Sequence, residues 1–530
     1  MPVVDDAGDK PYIRLTCDGS DDNGEEGFTV TVTDEGNVEI LGGLKRGCLY
    51  AVYDIAEKWL GMRFVTYDYT YIYEQDAVAI TADDSYSDAP GIGLRNPYCA
   101  TLNAGFTGFA EKGEFAVKNK LHTNASAVQF GYTPVMTANH GLYKYWECQA
   151  SDKNPCTSDE ELFEQVIYNI RTELEAAKTS GALYAGDYYH VNLGQNDTNV
   201  FCHCTDCKAV AAEEGSYGGV YARYVKAIAD TFAEEYPQVI FCMLAYWGTE
   251  VAPKVTKLPD NVYVTYCITG SCYCGPMDGS ECDPDRTGNS GYTVAEEREN
   301  LLGWNEVTDN LTVWIYYFAY SLSTPKNVML HMYKDIQYLY DLGVRDLFVE
   351  FEHTAFSYDI PGTWLLSKLL WDPLMSEDEF NALREEIMWL TYGDGYELIL
   401  DQLSVYDKMF PCEDSNSWGT AFDYAIAGAE GDYLLWVFDE AERLADSTRT
   451  ERNVRLISAH AKYNVLCGRY NSMYVNGTDE EKAAFDTLRY ELRDLLVESG
   501  ATYICFIRED GTKISNIDFT VDPNTWIKYK

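Results

Sequence analysis

The sequence predicts an α/β protein with three parts: a small N-terminal α/β domain, a (β/α)8 barrel of the TIM type and a helical C-terminal module. Three observations predict it. From about residue 91 to residue 375, apolar strands alternate with amphipathic helices, the rhythm of a parallel sheet, repeated often enough for a closed barrel. Residues 11–90 carry short alternating strands around a single helix. From residue 376 onward the apolar period is helical and no strand intervenes. A chain of 530 residues also exceeds what one core serves, roughly 300 residues.

In the first part, 1–90, Ile13-Arg-Leu-Thr, Phe28-Thr-Val-Thr-Val and Asn37-Val-Glu-Ile-Leu alternate as strands do. Gly42-Gly43 makes a turn, and Arg46 to Leu60 follows as a helix with Leu49, Val52, Tyr53, Ala56 and Leu60 on one face. Gly61 stops it, and Met62-Arg-Phe-Val-Thr resumes a strand. In the second part, 91–375, the expected strands are Ala125 to Phe130, Tyr188 to Gly194, Val239 to Tyr246, Val262 to Tyr266, Leu311 to Tyr317 and Asp346 to Glu352. The expected helices there are Asp159 to Ser180, Tyr221 to Tyr236 and Leu330 to Leu342. In the third, 376–530, helices are expected over Glu377–Leu390, Tyr396–Met409, Ala421–Thr448, Arg452–Tyr470 and Asp479–Ser499.

Composition narrows the partners. The chain has 85 acidic and 40 basic residues, a net charge of −45. Such a surface repels nucleic acid and anionic lipid, so neither is an expected partner. No run of about 18 apolar residues occurs, so no membrane insertion is expected. The opening Met1-Pro-Val-Val-Asp-Asp lacks a basic and then apolar leader, so a signal peptide is expected to be absent from this chain or already removed. The expected location is nonetheless extracytoplasmic, secreted or periplasmic, with a cytoplasmic one left open. The 43 Tyr and 11 Trp are the more telling excess. Their flat apolar faces and polar edges suit the C–H faces and hydroxyl rims of sugars, and they fill cores equally well.

Active sites of such barrels lie at the C-terminal ends of the strands, which filters the many acidic residues. Tyr188-Tyr-His-Val-Asn-Leu-Gly-Gln195-Asn196-Asp197 runs from an apolar strand into three adjacent hydrogen-bonding side chains. A glycosidase needs a carboxyl group for the leaving oxygen and polar groups for the 2-substituent, and Asp197 and Asn196 offer both. A turn-capping role for the Asn-Asp pair competes at even odds. Glu350 and Glu352 share one face of the next candidate strand end, Leu347-Phe-Val-Glu-Phe-Glu-His. They are candidate catalytic carboxylates facing Asp197 across the barrel, either as acid or as the assisting group, with a solvated or ion-paired edge as the competing role. Tyr246, Trp247, Trp314 and Tyr316 also end strands and are candidate sugar platforms, with core packing the competing role. His140 precedes the aromatic run Tyr143-Lys-Tyr-Trp146 and is a candidate for a substrate loop.

Cys202-His203-Cys204-Thr-Asp-Cys207 offers sulfur and imidazole suited to zinc, and Cys272, Cys274 and Cys282 form a second group among the 16 cysteines. A structural zinc on Cys202, Cys204, Cys207 and a partner is one reading; disulfides or free thiols are the others. No cofactor is expected in catalysis, and neither a phosphate-binding glycine loop nor a nucleophile elbow is present.

Several segments together resemble a known family. Arg46-Gly-Cys-Leu-Tyr-Ala-Val-Tyr-Asp-Ile-Ala-Glu-Lys-Trp-Leu-Gly-Met-Arg-Phe is similar to the accessory domain that precedes hexosaminidase and α-glucuronidase barrels. Gln195-Asn-Asp-Thr-Asn-Val-Phe-Cys-His-Cys-Thr-Asp-Cys207, Leu244-Ala-Tyr246, Val313-Trp-Ile-Tyr316 and Leu369-Leu-Trp-Asp-Pro373 resemble the domain-of-unknown-function 4838 family, part of which is glycoside hydrolase family 163. The resemblance covers roughly residues 12–400 and implies endo-β-N-acetylglucosaminidase action on an oligosaccharide or glycoprotein glycan. It implies Asp197 as general acid, Asn196 as a contact to the 2-acetamido group, and His140 as the family's histidine, here in Asn-His-Gly-Leu. Ile315 stands where many members carry an aspartate. A retaining glycosidase is therefore the expectation. A catalytically silent glycan-binding protein and an α-glucuronidase-type enzyme are the alternatives.

Overall fold

The computed structural model describes residues 11–19, 22–44, 46–98, 109–123, 138–149, 152–186, 188–269, 275–281, 285, 291–317, 329, 331–350, 359–409 and 425–499. The N-terminal part contains β1 (Ile13–Thr16), β2 (Phe28–Val32), β3 (Val38–Gly42), β4 (Met62–Thr66), β5 (Tyr69–Ile72) and β6 (Tyr86–Asp88). Four of these form a sheet in the order β1-β3-β2-β6, and β4 and β5 pair by themselves. The helix Gly47–Lys58 lays Tyr50 and Ala51 on Phe28, Val30 and Ile40 of that sheet. The helix can come this close because Gly42 has no side chain: a Cβ there would stand 2.2 Å from the backbone nitrogen of Cys48. A disulfide, Cys17–Cys48, ties the end of β1 to the start of the helix.

This small core is completed from far along the chain. Trp371, at the end of the helix Asp359–Trp371, stacks on Phe28 at 6.2 Å and meets Tyr50 edge-on. Two largely buried ion pairs make the same junction, Lys368–Glu57 at 2.6 Å and Arg63–Glu386 at 2.9 Å.

The second sheet holds β7 (Leu94–Tyr98), β8 (Tyr189–Asn192), β9 (Val239–Ala245), β10 (Val262–Ile268), β11 (Leu311–Tyr316) and β12 (Asp346–Glu350). All pairings are parallel, in the order β7-β12-β11-β10-β9-β8. Each strand from β8 to β12 lies beside its chain neighbour, and β12 lies beside β7, which is how a barrel winds. Among the described residues this is a curled six-stranded half-barrel. The direct register of Glu350 with Tyr98 leaves no place for a strand between β12 and β7. Any closure to eight strands would therefore run through the side between β7 and β8. The expected strand Ala125–Phe130 lies outside the described residues.

Both faces of this sheet are covered, as parallel sheets require. Phe241, Met243, Ala245, Val262, Val264, Val313, Ile315, Leu347 and Val349 face the helices. Their alternates Ile240, Cys242, Leu244, Tyr246, Cys267 and Tyr316 fill the concave side. Ile315 is thus fully buried toward the helices and cannot serve a site on the concave face.

The remaining helices follow as Glu377–Tyr392, Tyr396–Met409, Gly428–Arg443, Thr448–Arg469 and Asp479–Ser499. One expectation needs correction: a single helix does not run through Thr448. The first helix ends at Arg443, and Ser447, with an extended backbone, accepts the Thr450 N–H on its hydroxyl and caps the next. No helix among the described residues is long and apolar enough to cross a membrane.

Candidate active site

The site begins where β8 ends. The Asn192 side chain accepts the Gly194 N–H at 2.9 Å and donates to the Asn139 side chain at 2.5 Å. The Gly194 carbonyl accepts the N–H groups of Gly141 and Leu142, both at 3.0 Å, so the segment bearing His140 runs as a short parallel bridge beside Gly194. The approach is close enough to demand glycine: a Cβ on Gly194 would lie 1.9 Å from the Asn139 carbonyl oxygen. Gly194→Ala is therefore expected to separate these two segments and to cost about 1–3 kcal/mol of stability. Chemical denaturation would measure this, and a variant as stable as the parent would show that the bridge yields freely.

Beyond the bridge, Gln195 is fully buried. Its amide donates to the Tyr246 carbonyl at 2.6 Å and accepts the Thr249 hydroxyl at 2.7 Å, which fixes the loop after β8 to the loop after β9. Asn196 turns the other way. Its amide nitrogen reaches the carbonyls of Gln149, Asp152 and Lys153, and its backbone N–H donates to Asn154 at 2.9 Å. Asn196 has no exposed surface, and its amide nitrogen holds this loop.

Asp197 does emerge, with its side chain 45 % exposed. The Tyr246 hydroxyl donates to its Oδ1 at 3.0 Å, and His140 Nε2 stands 3.5 Å from the same oxygen. His140 Nδ1 lies 2.6 Å from the Gln195 carbonyl, an acceptor only, so Nδ1 carries a proton and Nε2 faces the carboxylate. Burial first, and then the Asp197 charge, push the Tyr246 phenol far above its ordinary value, which keeps it a donor at any ordinary pH. One carboxylate oxygen is thereby held and the other is left to solvent.

Trp247 follows with φ +26°, a conformation few side chains adopt, and is 42 % exposed at the rim. Tyr316 and Trp314 belong to the floor. They stack at 5.4 Å, Tyr316 is 4 % exposed, and the Trp314 indole N–H donates to Glu350 at 3.1 Å. Tyr246 and Tyr316 are almost fully buried, and Trp247 is the exposed aromatic at the rim. Glu350 ends β12 and is 5 % exposed, four strands across the sheet from β8. Glu352 lies outside the described residues.

Sequence reasoning passed over Glu250. It is 2 % exposed, accepts the Gly248 N–H at 2.7 Å, and has its carboxyl raised above the ordinary value by burial. It lies five residues past the end of β9, and the strand-end rule applied to Asp197 would have found it.

The cysteines of the Asp197 loop converge as well. Cys156, Cys202, Cys204 and Cys207 bring their sulfurs within 4.8 Å of one another. Cys156 is the fourth member that the motif alone did not supply. His203 is not a member, since its ring turns to the Tyr217 hydroxyl. Burial alone would raise the Cys207 thiol, but the hydroxyls of Ser158 and Thr157 and the neighbouring thiols bring it down to about 6. Cys272, Cys274 and Cys282 lie outside the described residues.

A polar cluster at the C-terminal ends of parallel strands, backed by helices, is the architecture on which barrel active sites are built. Within that class the chain belongs to the family described as domain of unknown function (DUF4838), whose model matches residues 64–395, more than half of the chain. The solved structures it resembles are glycoside hydrolases. A family GH115 4-O-methyl-α-glucuronidase with specificity for decorated arabinogalactans is 12 % identical over 93 % of this chain and 70 % of its own, with a TM-score of 0.56. That likeness is one of fold. A family 89 enzyme from Clostridium perfringens, in complex with GlcNAc-alpha-1,4-galactose, is 11 % identical over 91 % of this chain and 62 % of its own, with a TM-score of 0.48. A GH138 enzyme targeting pectin rhamnogalacturonan II has 12 % identity, coverage of 92 % and 86 %, and a TM-score of 0.39. No curated protein matches the chain.

Proposed function

We propose that the chain is a retaining glycoside hydrolase that cleaves β-linked N-acetylglucosamine in oligosaccharide or glycoprotein glycans. The observation that carries this reading is Asp197, half-exposed beyond the end of β8 and held on one oxygen by Tyr246 with His140 alongside. Its free oxygen protonates the glycosidic oxygen as the bond to the anomeric carbon breaks. The acetamido carbonyl of the same sugar attacks that carbon, and Glu350, on the far wall, balances the positive charge that develops. Water then opens the intermediate and returns its proton to Asp197, so configuration is retained. Trp247 offers the exposed sugar platform at the rim. The half-barrel is read as part of a (β/α)8-type barrel, with an accessory domain before it and helices after it, divided near residues 90 and 376. The Cys17–Cys48 disulfide suits an extracytoplasmic location.

The test is digestion of a defined glycan panel, read by mass spectrometry, with the parent, Asp197→Asn and Glu350→Gln. The expected result is a new reducing-end N-acetylglucosamine from the parent, with both variants impaired. Full activity in both variants sinks the assignment. Binding without turnover would identify a silent glycan-binding protein, and release of a uronic acid would identify an enzyme of the α-glucuronidase type.

A further inference from the structure

We infer that Cys156, Cys202, Cys204 and Cys207 form a structural zinc site that clamps the loop carrying Asp197. Zinc bound by four sulfurs at about 2.3 Å sets those sulfurs at the corners of a tetrahedron with edges of about 3.8 Å. Cys156 Sγ stands 3.8 Å from Cys204 Sγ and 3.7 Å from Cys207 Sγ, and all four sulfurs fall within 4.8 Å. These separations are far beyond a bond, although the same chain does close a disulfide at Cys17–Cys48. Four thiols packed this closely, with one of them buried, have little reason to converge unless a cation gathers them.

The surroundings are those of a metal thiolate. Cys204 is the N-cap of the helix Thr205–Glu214, and its sulfur accepts the Cys207 N–H at 3.4 Å, so the positive end of the helix faces the sulfurs. The Ser158 hydroxyl lies 3.2 Å from Cys207 Sγ. Hydrogen bonds to ligand sulfurs orient them and lower their charge. Four protein ligands close the coordination sphere, so the ion takes no part in the reaction.

Its place in the fold says what it holds. Cys156 lies two residues after Asn154, which accepts the Asn196 N–H, donates its amide to the Thr198 carbonyl at 3.1 Å and its backbone N–H to the Val200 carbonyl at 2.9 Å. The other three ligands follow Val200 within seven residues. The metal would thus join the two strands of chain between which the Asp197 loop is strung. A cleft of about 600 Å³ reaches Cys156 and Cys202, so a chelator has access.

The experiment is elemental analysis of the full chain after exhaustive dialysis, expected to give about one zinc per chain. Cys156→Ser and Cys207→Ser should each lose it, whereas Cys148→Ser, outside the tetrad, should keep it. Because a ligand variant can fail to fold, the wild-type chain is also stripped with a strong chelator and refilled with cobalt(II). The intense visible absorption of a tetrahedral cobalt tetrathiolate is expected, together with faster proteolysis between residues 148 and 207 in the stripped form. A chain purified without metal that takes up cobalt with that spectrum supports the site equally. Absence of both zinc and the cobalt band, or disulfides among these four cysteines by peptide mass, overturns it.

Discussion

Asp197→Asn is expected to lower kcat/KM by about 10²–10⁴, the usual worth of a positioned general acid, on any glycan the parent cleaves. The substitution is chosen because it leaves the fold alone. Asparagine keeps an oxygen that can accept the Tyr246 hydroxyl, and the side chain it replaces is 45 % exposed, so no buried charge is stranded. The midpoint of thermal unfolding should therefore barely move, which separates a chemical loss from a structural one. The leaving group supplies a second readout. An acid matters most when the departing oxygen is a poor leaving group, so an activated aryl glycoside should lose far less in this variant than a natural glycan. Tyr246→Phe removes one hydrogen bond to the carboxylate and keeps the carboxylate itself. It should cost about 1.5–3 kcal/mol of transition-state stabilisation, the worth of a hydrogen bond to a charged group. Equal losses on activated and natural substrates would show that Asp197 positions the sugar and does not protonate it.

A local rule singles out Asp197 as a candidate, and what stays hidden is set by distant chain. The strands β9 to β12 are read correctly because their runs are largely apolar, a consequence of burial on both faces. The helix Thr205–Glu214 escapes because its first turn is also the cysteine motif and its residues lack an apolar stripe. The helix Tyr217–Phe232 begins four residues earlier than its pattern suggests, since Gly218 and Gly219 in its first turn imitate a loop. Asn196 and Tyr316 have the residue types of a sugar site, and both are buried, one amide nitrogen holding a loop and one ring stacking in the floor. The carbonyls of Gln149, Asp152 and Lys153 and the stacking of Trp314 hold them there. Cys156 is the clearest case. It stands 46 residues before Cys202 in the chain, so no local spacing marks it as the fourth sulfur.

Arg95→Met is expected to destabilise the chain by about 3–5 kcal/mol, the cost of removing one partner of a buried ion pair. Arg95 has no exposed surface. It donates to Glu26 at 2.7 Å and to the carbonyls of Lys120, Ile92 and Gly93, and His122 Nε2 closes the group on Glu26 at 2.9 Å. Burial alone would raise the Glu26 carboxyl, but the Arg95 guanidinium and then His122 hold it well below the usual carboxylate range. Burial takes His122 down to about 4, so it is neutral in the fold at neutral pH. The sign of the pH dependence follows from both. In the unfolded chain a histidine takes up a proton near pH 6.5, while in the fold His122 does so only near 4, so stability is lost as pH falls through that window. Below about 4.5 the unfolded Glu26 is protonated and the folded one is not, which extends the loss. Through His122 and Glu26 the parent should lose stability progressively as pH falls below 6.5. In Arg95→Met the carboxylate loses its main partner, so the part of the slope below about 4.5 should shrink as Glu26 takes its proton in the fold too. The double variant Glu26→Gln/Arg95→Met should recover part of the lost stability, because no lone buried charge remains. Denaturant midpoints measured from pH 4 to 8 for the three proteins check all of this. A double variant no more stable than Arg95→Met would mean that the orphaned carbonyls of Ile92, Gly93 and Lys120 carry the cost instead of the carboxylate.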